Sequence, residues 1–101
     1  MRGWGVWLIV GAILGAVVVA WAAQSETINL QWDPVPEAAG YFLYYGTSMG
    51  QYSTVVDPGE AVTASVGGLR RNRRYYFAVT AYDDMGNESG FSNEVSGIAG
   101  R

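Results

Sequence analysis

Residues 75–82 constrain the fold more than any other part of this chain, because apolar and aromatic side chains alternate there with a period of two. Successive side chains of a β-strand point to opposite faces of the sheet, so this alternation predicts a strand with a buried face. Tyr75 starts the strand just after a turn, six residues beyond Leu69. A tyrosine at that position is typical of a tyrosine corner, in which the ring packs in the core while the hydroxyl bonds nearby backbone.

Shorter alternating runs separated by turn residues predict five further strands, and no helical periodicity competes with them after residue 27. The predicted strands cover residues 28–32, 41–45, 51–56, 62–69, 75–82 and 92–98. Several short antiparallel strands without helices predict an all-β sandwich of two sheets. The predicted core residues are Trp32, Tyr41, Leu43, Tyr45, Leu69, Tyr75, Phe77 and Val79.

The residue inventory narrows the possible functions. The 101 residues contain no cysteine, histidine or lysine, which removes thiol nucleophiles, imidazole bases, Schiff-base lysines and the usual zinc ligands. We therefore expect no enzymatic activity, no cofactor and no metal site. The net charge of −3 argues against nucleic-acid binding.

The first 23 residues differ from the rest of the chain. Residues 3–23 carry no charge and follow Arg2, as in segments that direct a protein across a membrane. Small residues near position 22 favour a cleaved signal peptide, whereas a 21-residue uncharged length matches a retained membrane helix. Both readings predict an apolar helix over 1–23, a domain over 24–101, and an exported location. The domain would then be periplasmic or extracellular, or the chain would be anchored in the cytoplasmic membrane with the domain outside.

Five sequence blocks, in order and at compatible spacing, resemble a fibronectin type III domain of the bacterial kind. They lie at 28–33, 40–46, 68–69, 75–83 and 86–95, and the resemblance covers about residues 26–99. It implies an immunoglobulin-like sandwich with strands B, C, C′, E, F and G. It also makes Trp32 the core tryptophan of strand B and Tyr75 the corner tyrosine of strand F.

The chain departs from that family pattern before its first strand. A full domain begins with strand A, yet only residues 24–27 separate the apolar segment from Ile28. Strand A is therefore expected to be short or missing, which leaves one edge of strand B unpaired. An unpaired edge is a place for a strand from another chain or a second copy, although a short tail is also able to cover it.

A second departure is a basic turn where the family usually has neutral residues. The turn carries Arg70, Arg71, Arg73 and Arg74. Four guanidinium groups this close repel one another unless they are solvated or meet anions. We expect either a contact with an anionic surface, such as the membrane beside residues 3–23, or a solvated turn.

An aromatic patch is the other candidate site. The strand pattern places Phe42, Tyr44, Tyr76 and Tyr82 on the outer face of the sheet. Such a patch fits a binding surface, but tyrosine is also frequent on strands for its β-propensity.

These features favour a non-catalytic, exported module that mediates protein–protein interaction, adhesion or assembly at the cell envelope. Its partner would be a protein or another cell-surface component. Two alternatives stay open: a structural spacer or accessory subunit anchored in the membrane, and an accessory module that binds carbohydrate.

Overall fold

Residues 26–100 form six β-strands, as the computed structural model of the chain describes them. The strands are β1 (Ile28–Gln31), β2 (Gly40–Gly46), β3 (Thr54–Gly59), β4 (Thr63–Val66), β5 (Arg74–Tyr82) and β6 (Val95–Ile98). No helix occurs within this described range. The predicted apolar helix and the domain boundary after residue 23 lie outside it.

The strands build two antiparallel sheets. One contains β1 and β4, and the other has the order β3-β2-β5-β6. The longest pairing joins β2 to β5 over seven residue pairs, from Gly40 opposite Tyr82 to Gly46 opposite Tyr76. The prediction of an all-β fold with two sheets is confirmed.

One hydrophobic core lies between the sheets. The alternate side chains of β5 that begin at Tyr75 are all buried, as are Ile28 and Leu30 of β1. Tyr45 is half-buried and packs against this core. The remaining buried apolar side chains are Trp32, Val35, Tyr41, Leu43, Val66, Leu69, Ala78 and Ala99. Among the described residues, these side chains, apart from that of Ala78, form one continuous core between residues 28 and 99.

Two core tyrosines bond the backbone through their hydroxyl groups. The Tyr75 hydroxyl accepts a hydrogen bond of 2.8 Å from the backbone N–H of Arg70, which forms the expected tyrosine corner. The Tyr41 hydroxyl accepts a bond of 2.7 Å from the N–H of Val35. Each ring is therefore buried without leaving its polar atom unpaired, and each fixes a loop against the core.

Several predicted strand boundaries were wrong. The third and fourth strands end at Gly59 and Val66 rather than at residues 56 and 69, and two strands begin later than predicted. The third strand begins at Thr54 rather than residue 51, because the hairpin turn occupies the residues before it. Ser48 and Gln51 form an isolated bridge there, and the N–H of Ser53 bonds the carbonyl of Tyr45 at 3.0 Å. The sixth strand begins at Val95 rather than residue 92, because residues 88–94 follow β5 through serine side chains instead of a regular ladder.

The strands run between two ends of a domain whose extents are 43 × 22 × 20 Å. We call residues 26–27, 67–73 and 99–100 the arginine end. There the N–H of Leu69 bonds the carbonyl of Glu26 at 3.1 Å. We call the loops 32–39, 60–62 and 83–88 the acidic end. Two backbone bonds hold these loops together. The N–H of Trp32 bonds the carbonyl of Val62 just before β4, and the N–H of Ala39 bonds the carbonyl of Tyr82 at the end of β5.

The outer edge of β1 is open within the described residues. β1 pairs only with β4 there, in a register that sets Ile28 opposite Val66. Any strand that precedes residue 26 lies outside the described range. In residues 26–100 no helix is both long and apolar enough to cross a membrane.

Candidate interaction surface

The outer face of the β3-β2-β5-β6 sheet carries a row of aromatic rings. Its first members are Tyr82 of β5 and Phe42 of β2, whose ring centroids lie 4.8 Å apart. The Tyr82 ring lies across Gly40, where an added Cβ would sit 2.3 Å from the tyrosine hydroxyl oxygen. A glycine at position 40 therefore allows this ring to lie flat against the sheet.

Two serines attach residues 88–94 to the free edge of β5. The N–H of Ser89 donates to the carbonyl of Ala81 at 2.9 Å, and its hydroxyl accepts from the Ala81 N–H at 3.0 Å. Ser92 makes the same two bonds with Val79, each 2.9 Å long. These four bonds fix the backbone on both sides of the two residues between the serines, Gly90 and Phe91.

Phe91 extends the aromatic row toward β2 and the hairpin turn. Its ring lies 4.8 Å from that of Tyr44 at an interplanar angle of 89°, and 5.2 Å from that of Tyr52 at 64°. Ala78 of β5 pairs with Tyr44 and lies between β2 and residues 88–94. Its small side chain leaves room for the Phe91 ring to reach Tyr44. Such edge-to-face pairs are favourable beyond their buried area. We call this row the aromatic strip: Tyr82, Phe42, Tyr44, Phe91 and Tyr52.

Two carboxylates hold the tyrosines of the aromatic strip. Glu88 accepts hydrogen bonds from the Tyr44 hydroxyl and from the buried hydroxyl of Thr80, the latter at 2.7 Å. Glu94 accepts from the Tyr52 hydroxyl at 2.6 Å and from the N–H of Gly50 at 2.7 Å. Each carboxylate thus connects residues 88–94 to a different part of the sheet.

The environment keeps both tyrosine hydroxyls protonated. Burial raises the pKa of Tyr44 above its usual value, and the bond to Glu88 and the charge of Glu88 add to this rise. Burial together with Glu94 raises the pKa of Tyr52 in the same way. Both hydroxyls therefore remain hydrogen-bond donors above the pH at which an unperturbed tyrosine ionises.

The centre of this surface is apolar and open to solvent. Phe91 is 46% exposed, and Val55, which lies opposite Tyr44 on β3, is 52% exposed. Glu88 is also exposed, whereas Glu94 is half-buried. The surface therefore offers an ordered apolar anchor beside a carboxylate.

Three of the four aromatic residues predicted for the outer face belong to the aromatic strip: Phe42, Tyr44 and Tyr82. Tyr76 lies toward the arginine end, opposite Gly46 and Ser96. The sequence pattern missed Tyr52 and Phe91, together with the glutamates that bond the tyrosines. The only signal for Phe91 is its position between Ser89 and Ser92, and serine spacing does not mark a binding site.

The predicted basic residues are all exposed: Arg70, Arg71 and Arg73 lie in the turn between β4 and β5, and Arg74 is the first residue of β5. Asn72 adopts a left-handed conformation with φ of 64°, and its N–H bonds the carbonyl of Ala99 at 2.8 Å. A second bond, of 3.0 Å, runs from the Ala99 N–H to the Arg73 carbonyl. The backbone that carries the arginines is therefore fixed against the end of the chain.

A carboxylate also organises the acidic end. Asp83 accepts bonds from the Asn87 side chain at 3.1 Å and from the N–H groups of Asn87 and Met85, each at 2.9 Å. These bonds, that of the Asn87 side chain foremost, lower the pKa of Asp83. The aspartate thus stabilises the turn. No group of three potential metal-binding side chains lies close enough to hold an ion anywhere in residues 26–100.

Comparison with known proteins identifies relatives of this chain. The family model of the fibronectin type III domain matches residues 15–98. A Kelch domain-containing protein of Saccharolobus solfataricus is 32% identical over 72 residues, which are 71% of this chain. An amylopullulanase of Thermoanaerobacter thermohydrosulfuricus is 29% identical over 103 residues, covering 85% of this chain. The chain spans only 10% and 7% of these two relatives.

A solved structure has the same fold. The crystal structure of an Fn3-like protein from Clostridium thermocellum superposes with a TM-score of 0.66 and 27% sequence identity. The superposition covers 71% of this chain and 75% of the other. The sandwich is therefore shared nearly whole.

Proposed function

This chain belongs to the fibronectin type III domain family, and from that premise we propose that it is a non-catalytic accessory module that binds a protein partner through the aromatic strip. Domains of this family are generally non-catalytic and accompany other functions within larger proteins. The amylopullulanase and Kelch relatives each match over only a small part of their length, which supports an accessory role.

The observation that carries the proposal is the exposure of Phe91 within an ordered cluster. A ring that is 46% exposed has apolar area left to bury, and its neighbours already fix its orientation. Binding then costs little side-chain entropy, which is the main cost of immobilising a flexible contact. Aromatic anchors of this kind carry much of the energy of protein interfaces.

The carboxylates give the surface its selectivity. Glu88 and Glu94 both lie on the segment that carries Phe91 and are bonded to tyrosines of the strip. A partner that fits this surface therefore has an apolar pocket for the ring and a hydrogen-bond donor or a cation beside it. Charged groups at an interface rim mainly set specificity and association rate.

An exported location agrees with the sequence of residues 3–23 and is part of the proposal. The partner would then lie in the cell envelope or outside the cell, where such a module serves adhesion or assembly. If the segment is retained as an anchor, the module would instead hold a fixed position beside the membrane. N-terminal sequencing of the fractionated protein distinguishes these cases, since cleavage gives a start near residue 23.

A photo-crosslinking experiment tests the proposed surface. The photoreactive amino acid p-benzoylphenylalanine replaces Phe91 in one variant and Met85 in the other, and crosslinking is done in intact cells. Met85 is the matched control, because it is 85% exposed and lies in the loop at the acidic end. We expect a defined protein adduct from position 91 and none from position 85.

The captured protein is then identified, purified and titrated with Phe91→Ala and Met85→Ala variants. Loss of the anchor should weaken binding at least about tenfold, and the control should bind like the wild type. Equal crosslinking from both positions, or an unchanged dissociation constant for Phe91→Ala, would contradict the proposal.

The amylopullulanase relative supports carbohydrate binding as a second candidate function. Exposed rings do stack on sugars, but Phe91 meets its neighbours edge-on, and both neighbouring tyrosine hydroxyls are bonded to glutamates. The geometry therefore favours a protein. Electrophoresis of the purified domain through gels containing pullulan or starch distinguishes protein binding from carbohydrate binding. If the polysaccharide retards the domain and Phe91→Ala abolishes this retardation, the carbohydrate function is established instead.

A further inference from the structure

The charges of this domain are separated along its length. Every cationic side chain of residues 26–100 lies in the turn at the arginine end or at the first residue of β5. Six of the nine acidic residues in the chain lie in the loops of the acidic end. These six residues are Asp33, Glu37, Glu60, Asp83, Asp84 and Glu88.

The two ends do not neutralise each other. β5 runs from Arg74 at one end to Tyr82 at the other, and nine residues of β-strand span about 30 Å. The Debye length at physiological ionic strength is about 8 Å, so charges at opposite ends are screened from one another. The four arginines outnumber Glu26, the one acidic residue at that end among the described residues, so the arginine end acts as a separate positive patch on a protein whose net charge is negative.

The fold presents this patch on a fixed backbone. The Arg70 N–H bonds the corner tyrosine, and Ala99 bonds both the N–H of Asn72 and the carbonyl of Arg73. Arg74 projects on the outer face, where its guanidinium donates to the Ser96 hydroxyl at 3.2 Å. Tyr76 follows two positions later on the same face and is half-buried. The arginines thus share one end of the sandwich rather than spreading over its sides.

The first described residue of the chain, Glu26, lies at the same end. The Glu26 carbonyl accepts the bond from Leu69 beside the basic turn. The uncharged run of residues 3–23 stops only three residues earlier in the sequence. Three residues reach at most about 10 Å. A bilayer that held this run would therefore have its headgroups next to the four arginines.

We propose that the arginine end binds the anionic headgroups of a lipid bilayer and sets the domain upright on the membrane surface. Each arginine near an anionic surface gains about fivefold in partitioning. The acidic end is repelled by the same surface and points away from it. The aromatic strip, on the side of the sandwich, stays open to a partner, so this proposal is independent of the proposed protein contact.

Vesicle co-sedimentation tests the proposal with residues 24–101, which include every core residue named above; circular dichroism first checks that this part of the chain folds. One set of vesicles contains phosphatidylcholine alone, and the other contains equal parts of phosphatidylcholine and phosphatidylglycerol. We expect binding to the anionic vesicles only, with an affinity that falls steadily as salt is raised. A variant with all four arginines changed to glutamine should bind at least about 100-fold more weakly.

Two variants keep the test specific. The matched control changes the same four arginines to lysine, which keeps the charge and should keep most of the binding. The double change Arg71→Gln and Arg73→Gln, in the exposed turn, should weaken binding by roughly 25-fold. Circular dichroism confirms that each variant has the wild-type fold.

A complementary measurement uses the full chain in nanodiscs of the same two lipid compositions. Deuterium uptake at residues 70–74 should be slower in the anionic discs, with no difference at residues 83–88. Equal binding to both vesicle types, or full binding by the glutamine variant, would overturn the proposal. Salt-sensitive self-association without vesicle binding would also overturn the proposal, because the arginine end would then bind the acidic end of a second copy.

Discussion

The two faces of the β2–β5 strand pair are held by different forces. On the inner face, Leu43 and Phe77 are fully buried in the core between the sheets. On the outer face, the rings of Tyr44 and Phe91 contact each other, and the hydroxyls of Tyr44 and Tyr52 bond glutamates of an irregular segment. Hydrophobic burial thus maintains one face, while polar bonds arrange the other.

This difference separates folding from binding within one sheet. Side chains on the inner face contribute to stability in proportion to the apolar area that folding removes from water. Phe91 retains exposed area and contributes less to stability, which leaves it available for a partner. Substitutions that distinguish the two faces therefore test the comparison directly.

The largest expected effect is on the inner face. Phe77→Ala removes a ring with 0% exposure and should cost about 3–5 kcal/mol, most of the stability expected for a domain of this size. Urea unfolding followed by circular dichroism measures this. The matched change Phe91→Ala on the outer face should cost less than about 1 kcal/mol. Similar losses in both variants would show that the two faces are not held differently.

The corner tyrosine gives the next largest effect. Tyr75→Phe keeps the ring but leaves the Arg70 N–H without its hydroxyl acceptor, which should cost about 1–2 kcal/mol. Tyr76→Phe, one residue along on the outer face, is the control and should change stability by less than about 0.5 kcal/mol. The free energy of unfolding in urea is again the measurement. A greater loss in the control would contradict the role of the corner.

A smaller effect is expected where serines replace the strand ladder. Ser92→Ala removes the acceptor for the Val79 N–H and should cost about 1 kcal/mol. Amide exchange at Val79 should become faster in this variant. Ser96→Ala is the control, because its hydroxyl bonds only an exposed guanidinium and is expected to cost less than about 0.5 kcal/mol. Unchanged exchange at Val79 would show that the serine bond does not hold the segment.

The smallest effect appears only at high pH. The pKa values of Tyr44 and Tyr52 are raised in the folded domain, whereas an unfolded tyrosine titrates near pH 10. The folded state therefore binds more protons above about pH 10. This contribution to stability is complete below that pH and is lost as the pH rises through the folded pKa values. Thermal unfolding should show a decline above pH 10 that is shallower in Tyr52→Phe. An identical decline in that variant would contradict a raised pKa for Tyr52.

The main features of the inner face were predictable from the sequence. The alternation from Tyr75 to Ala81 and the run from Ile28 to Trp32 follow directly from the two-residue period of a half-buried strand. The tyrosine corner was predictable for the same reason, since a turn precedes an inward-facing tyrosine. Burial leaves a periodic signal in the sequence, and the fold class depends on burial.

The outer face was only partly predictable. Phe42, Tyr44 and Tyr82 follow the same period and were predicted, but Phe91 and Tyr52 lie outside regular strands. The position of Tyr52 depends on a side-chain bond to Glu94, and that of Phe91 depends on the bonds that Ser89 and Ser92 make to β5. Such contacts leave no period. The same cause explains why the sixth strand was predicted to begin too early.

The most direct test measures stability and partner affinity together for the Phe91→Ala and Met85→Ala variants. The partner is the protein captured at position 91, titrated by isothermal calorimetry, and stability is measured by urea unfolding. We expect Phe91→Ala to lose at least about tenfold in affinity while its unfolding free energy falls by less than about 1 kcal/mol. Met85→Ala should change neither. Wild-type affinity in Phe91→Ala, or a loss of affinity accompanied by loss of the fold, would contradict the separation of binding from folding.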